Sequence, residues 1–78
     1  MQYQIIGIEE TSFTPQDGNR TFKGVRLHCV YDKPNMEGQA VEAFYCNSSV
    51  DVEGLNIGDV CEILYNRYGK VAQVRKIG

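Results

Sequence analysis

Cationic and aromatic side chains alternate in two short windows of the sequence, and these are the residues best suited to chemistry. The windows consist of Arg20, Phe22, Lys23 and Arg26 in the first and Arg67, Tyr68, Lys70 and Arg75 in the second. A positive charge binds a phosphate, and a flat ring stacks on an unpaired base, which contributes about 1–3 kcal/mol per base. The two windows therefore predict a surface for single-stranded nucleic acid, provided that the fold brings them together.

The charge of the chain is unevenly distributed. Taken whole, a net charge of −2 is a mild argument against a nucleic-acid partner. However, all 8 lysines and arginines lie within residues 20–33 and 67–76, whereas residues 34–64 contain acidic residues and no lysine or arginine. This segregation predicts a two-sided molecule with one basic face.

No catalytic or metal-binding constellation is visible in the sequence. His28 is the only histidine, and alternation places it on the polar face of a strand. The three cysteines, Cys29, Cys46 and Cys61, lack the spacing of a zinc or redox motif and are expected to behave as small buried hydrophobes. We therefore expect a binding protein that is not an enzyme and uses no cofactor or metal.

The same cysteines and the N-terminal residues indicate in which cellular compartment the protein is expected. An odd number of widely spaced cysteines argues against a disulfide framework and favours a reducing environment. Residues 1–8 have no basic segment of the kind that begins a signal peptide, and no apolar run is long enough to cross a bilayer. The expectation is a cytoplasmic protein without a membrane partner.

Alternation of apolar and polar residues with a period of two predicts five β-strands. They cover residues 2–9, 25–31, 40–46, 60–65 and 71–77. Residues 15–19, which include Asp17-Gly18, and residues 66–70 are typical of hairpin loops. The longer connection 48–59 leaves room for one short helical turn, and we expect Leu55 and Ile57 within it to plug an open end of a barrel.

Five short strands with one longer crossing predict an all-β, five-stranded, OB-like small barrel that spans residues 1–78 as a single domain. An SH3-like barrel is the main structural competitor. A chain of 78 residues buries only roughly 60 % of its unfolded surface, so its core is marginal. Closure of the barrel or burial of one face in a homodimer would compensate.

The order of several residues resembles that of the filamentous-phage gene V helix-destabilising proteins. The residues that carry the likeness are Phe13, Gly18, Arg20 and Phe22, then the stretch 27–32, and then Gly58, the stretch 67–71 and Arg75. The resemblance implies an OB-like homodimer that binds single-stranded DNA cooperatively and independently of sequence. It assigns phosphate contacts to Arg20 and Arg75 and base stacking to Phe22 and Tyr68.

This chain departs from the gene V pattern at Val30, where that family has an aromatic residue on the second strand. The stretches 57–60 and 65–69 also resemble small proteins of Gram-positive mobile elements, but this likeness implies no activity.

Two functions are consistent with the sequence. The first is sequence-independent binding of single-stranded DNA, or of RNA, in the replication of a phage or mobile element. The alternative is a protein-interaction or scaffold module that docks a partner through an acidic face around Glu37, Glu42 and Glu53, or through a sheet edge, without binding nucleic acid.

Overall fold

The computed structural model describes residues 1–14, 16, 18 and 20–77 and is all-β. Its five strands are β1 Gln2–Phe13, β2 Phe22–Tyr31, β3 Ala40–Asn47, β4 Val60–Tyr65 and β5 Val71–Ile77. The five strands expected from alternation are confirmed, and β1 and β2 extend further toward their shared hairpin than predicted. Pro15, Asp17 and Asn19 of the predicted first loop lie outside the described residues.

The strands form one antiparallel sheet in the order β3-β2-β1-β4-β5. Three consecutive strands are thus followed by a fourth that returns to lie beside the first, which is the Greek-key arrangement of OB-type barrels. The two outer strands, β3 and β5, run parallel and approach each other without a backbone ladder within the described residues. The predicted OB-like barrel is confirmed, and it stays open along this β3–β5 seam.

The core lies on the concave side of the sheet, where the alternating side chains converge. Its fully buried members are Ile5, Leu27, Cys29, Cys46 and Cys61. All three cysteines are free, and burial raises the pKa of Cys29 to about 12, so its thiol stays protonated at neutral pH. The cysteines therefore pack as small apolar residues, as expected.

β1 pairs with strands on both of its sides, and it contains a β-bulge between Ile5 and Gly7. Gln2–Gln4 pairs with β4, and from Gln4 to Phe13 the strand pairs with β2 on both sides of the bulge. Bulges bend a strand and increase its twist. Beyond the end of β3, the β1–β2 hairpin therefore continues as a two-stranded arm that ends at the Phe13–Phe22 pair.

Residues 48–59 cross one end of the barrel as a series of turns, and no helical turn forms there. Val50 is buried, and Leu55 packs against the core as expected. Ile57, by contrast, is 60 % exposed, so the prediction that it plugs an open end of the barrel is wrong. The chain turns outward there because Gly58 takes a φ of 94° and its amide donates to the Ile5 carbonyl at 2.8 Å. No helix in the described part of the chain could span a bilayer.

Candidate nucleic-acid interface

The first window lies mostly on the β1–β2 arm. Phe22 is 49 % exposed at the start of β2, and Arg20 and Lys23 on either side of it are also exposed. The Thr14 and Thr21 hydroxyls, 2.8 Å apart, join the two chain segments just beyond the last strand pair. The arm therefore presents a ring and two positive charges to solvent.

Arg26, further along β2, is in a different environment. Its guanidinium lies 3.5 Å from the Glu9 carboxylate, which also bonds to the His28 ring at 3.0 Å. The bond to His28, followed by the charge of Arg26, lowers the pKa of Glu9. Part of the positive charge of Arg26 is thus compensated across the β1–β2 ladder.

The second window forms the tip of the β4–β5 hairpin. The Asn66 side-chain oxygen accepts bonds from the amides of Tyr68 at 2.8 Å and Lys70 at 3.1 Å, and Gly69 has a φ of 78°. Positive φ at a hairpin tip favours glycine, because other residues are strained there. This turn leaves the Tyr68 ring 71 % exposed.

Arg67 supports the ring of Tyr68 rather than pointing away from it. Its guanidinium carbon lies 5.0 Å from the ring centroid, and a guanidinium nitrogen donates to the Tyr68 hydroxyl at 2.8 Å. A cation at this distance from a ring is attracted to its π-face. The pair holds a ring with an adjoining positive charge at the tip of the hairpin.

Arg75 does not join this group. It lies opposite Glu62 in the β4–β5 ladder, and its guanidinium forms an ion pair and hydrogen bond with that carboxylate. Lys76 is similarly paired with Asp59, at 3.4 Å. The structure thus separates the positive charges on the body of the sheet from those on the two hairpins.

β3 connects the two windows. Tyr45 faces outward opposite Arg26 in the β2–β3 ladder and lines a groove together with Gly69 and Lys70 of the second hairpin. Its ring lies over Gly24, where an added Cβ would come within 2.6 Å of the Tyr45 hydroxyl. One path of side chains therefore leads from the arm, past Arg26 and Tyr45, to Lys70.

Tyr45 is the residue that the sequence windows missed. It is 48 % exposed and lies between the buried Phe44 and Cys46, so strict alternation places it on the outside. The signal was hidden because every residue from Ala43 to Cys46 is apolar or aromatic, which makes both faces of the strand look alike.

The other candidates for chemistry in the described residues are a metal site and the single histidine. No group of at least three histidine, cysteine or acidic side chains there could hold a metal ion. His28 lies on the outer face of β2, as alternation predicts, and bonds to Glu9.

Comparisons of the chain with protein-family models, curated proteins and solved structures found no match. The resemblance to gene V proteins stays a prediction, and the functional argument depends on the geometry of the site.

Proposed function

We propose that this chain binds single-stranded DNA, independently of sequence, across the outer face of β2 and β3. The observation that carries the proposal is the pair of exposed rings, Phe22 and Tyr68, at the two hairpins that flank this face. In OB-type barrels the face of strands 2 and 3, together with the loops between strands 1 and 2 and strands 4 and 5, binds oligonucleotides. The loop-side residues of both windows fall on those elements.

The side chains along the path from the β1–β2 arm to Lys70 suit a single strand of nucleic acid. Bases stack on Phe22, Tyr45 and Tyr68, because every base has a π-face that an aromatic ring can cover. Phosphates bind the positive charges beside those rings, which belong to Arg20, Lys23, Arg67 and Lys70. A duplex, whose bases are already stacked, would use only the charges and would bind more weakly.

Fluorescence anisotropy with a labelled thymidine oligomer over a salt series tests the proposal. For single strands, the logarithm of the affinity falls with the logarithm of salt concentration by about 0.7 for each phosphate that the protein binds. We expect tight binding at low salt, a steep salt dependence and weaker binding to the matching duplex. Absence of binding at low salt would contradict the proposal. A uridine oligomer distinguishes RNA from DNA as the preferred strand.

We place this activity in the replication of a phage or mobile element, as the resemblance to gene V proteins implies. Three free cysteines in the core are compatible with the reducing cytoplasm of a host cell.

The free edge of β1 favours a second candidate function, the docking of a protein strand. Backbone bonds to the β4 side end at Ile5, and from Ile6 to Phe13 this edge of β1 has no partner strand among the described residues. Ile6, Ile8 and Phe13 are exposed along it. An open strand edge pairs readily with another strand.

We propose a second copy of the chain as the occupant, with two β1 edges paired about a two-fold axis.

Analytical ultracentrifugation tests the homodimer. Ile6→Lys places a charge at the free edge and is expected to shift the protein toward monomer, whereas Ile57→Lys, an equal change in an exposed loop residue, leaves the assembly intact. A wild-type protein that is monomeric at all concentrations would contradict the dimer. A pull-down from nuclease-treated lysate then shows whether a different protein occupies the edge.

A further inference from the structure

The open seam of the barrel forms a groove between β3 and the β4–β5 hairpin. The groove is open on one side and has a volume of about 400 Å³, which is within the range of sites that hold small ligands. Tyr45 and Tyr65 are among its lining residues, and Lys70 lies on the hairpin side. Because Tyr45 and Lys70 also belong to the proposed DNA path, the groove opens directly onto that path.

One carboxylate lines this groove. Glu42 shares the inward side of β3 with the buried Ala40 and Phe44, but it reaches the seam, where β3 has no neighbouring strand to cover it. Its charge raises the pKa of Tyr65, after the larger effect of burial. Among the ion pairs of the described residues, none involves Glu42. An exposed carboxylate beside a phosphate path repels the backbone of a nucleic acid but can accept hydrogen bonds from a base.

The hydrogen-bonding edges of the four bases differ in what they offer a carboxylate. Guanine presents two adjacent donors, N1–H and the N2 amino group, which match the two oxygens of a carboxylate. Adenine and cytosine present an amino group next to an acceptor nitrogen, and thymine presents one N–H between two carbonyl oxygens. Unpaired bases are commonly read by a side chain on this edge while the base stacks on a ring.

We infer that the β3–β5 groove is a guanine-selective subsite, in which Glu42 accepts bonds from N1–H and N2–H while the base stacks against Tyr65. This inference rests on the proposed binding of single strands and replaces its independence of sequence by a preference at one nucleotide position. Lys70, on the hairpin side of the groove, is left to bind the phosphate of that nucleotide.

Competition binding with substituted thymidine oligomers tests the subsite. The oligomers carry thymine, guanine, adenine or hypoxanthine at one central position; hypoxanthine keeps N1–H but lacks the N2 amino group. A bidentate contact discriminates by about 1–3 kcal/mol, so we expect the guanine oligomer to bind roughly 5- to 150-fold more tightly than the thymine oligomer. Hypoxanthine is expected to lose most of that gain.

Two variants with the same change in charge complete the test. Glu42→Gln is expected to abolish the guanine preference while thymidine binding remains, and Glu37→Gln, in the loop after β2, is expected to leave the preference intact. Equal affinity of the wild type for guanine and thymine oligomers, or a preference that survives in Glu42→Gln, would overturn the inference and leave the proposed function standing. Failure of every oligomer to bind would remove both.

Discussion

The body of the sheet and its two hairpins use the same cationic residues differently. On the body, Arg26 and Arg75 each meet a carboxylate across an antiparallel ladder, Glu9 and Glu62 respectively. Opposite charges placed directly across a ladder stabilise the sheet modestly. On the hairpins the positive charges lie beside exposed rings instead. Whether an arginine or lysine supports the fold or is available to a ligand therefore depends on the residue that lies across the ladder from it, not on the residue type.

Removal of the two hairpin rings is expected to have the largest effect. Phe22→Ala combined with Tyr68→Ala should weaken binding of a thymidine oligomer by about 1–3 kcal/mol for each ring, because each ring loses a stacked base. Both side chains are largely exposed, so the urea midpoint should hardly change. Ile57→Ala, which shortens another exposed apolar residue, is the control. Unchanged affinity in the double variant would remove both rings from the interface.

Gly24→Ala tests the border between the two regions, where the ring of Tyr45 crosses β2. An added Cβ would lie 2.6 Å from the Tyr45 hydroxyl and 2.8 Å from the Cys46 carbonyl oxygen. The ring can move, but the backbone oxygen cannot move without shifting β3, so we expect a loss of about 1–3 kcal/mol in the free energy of unfolding. Urea denaturation measures it. Tyr45→Phe in the same background should recover little of the loss, because the ring carbon at 2.7 Å and the Cys46 carbonyl oxygen remain; a Gly24→Ala midpoint equal to that of the wild type would disprove the close approach.

Variants that neutralise charges on the hairpins or on the body of the sheet compare how much each region contributes to the binding of phosphates. Lys23→Gln with Lys70→Gln should reduce the slope of affinity against salt by about 0.7 for each phosphate that the variant no longer binds. Glu62→Gln with Arg75→Gln removes an ion pair at constant net charge and should leave the slope unchanged. Lys33→Gln, in the loop after β2, controls for a simple loss of positive charge. If the Glu62–Arg75 variant alone changes the slope, Arg75 belongs in the interface after all.

Local patterns predicted the fold well because strands 2 to 5 are rich in β-branched and aromatic residues and are separated by turn-forming residues. They failed at the far half of β1, where Glu9, Glu10 and Ser12 carry no apolar alternation. That segment is a strand because β2 provides a partner as far as Phe13. The bulge at Ile5 was equally hidden, since Ile5, Ile6 and Ile8 fit either face until the neighbouring strands decide between them.

The site was predictable only in part, for a related reason. Composition identified the exposed rings and the hairpin charges, which depend on local sequence. Whether Arg75 is available depends on its register with Glu62, and whether the windows meet depends on Tyr45 at the seam. Both are set by pairings between residues distant in the chain, which windows of neighbouring residues do not contain.

The smallest effect concerns Glu9, which contacts Arg26 and His28 on the body of the sheet. Its pKa is lowered, first by the bond to His28 and then by Arg26, below the ordinary glutamate value of about 4.3. A carboxylate with a lowered pKa in the folded state contributes stability above its ordinary pKa and loses that contribution as the pH falls through the lowered value. Urea midpoints of wild type and Glu9→Gln should therefore differ slightly at neutral pH and converge in acid. A difference that stays constant from neutral pH to pH about 2.5 would mean that the Glu9 carboxylate does not stabilise the fold by its charge. The positive charge of Arg26 would then be as available to a ligand as those of the hairpins.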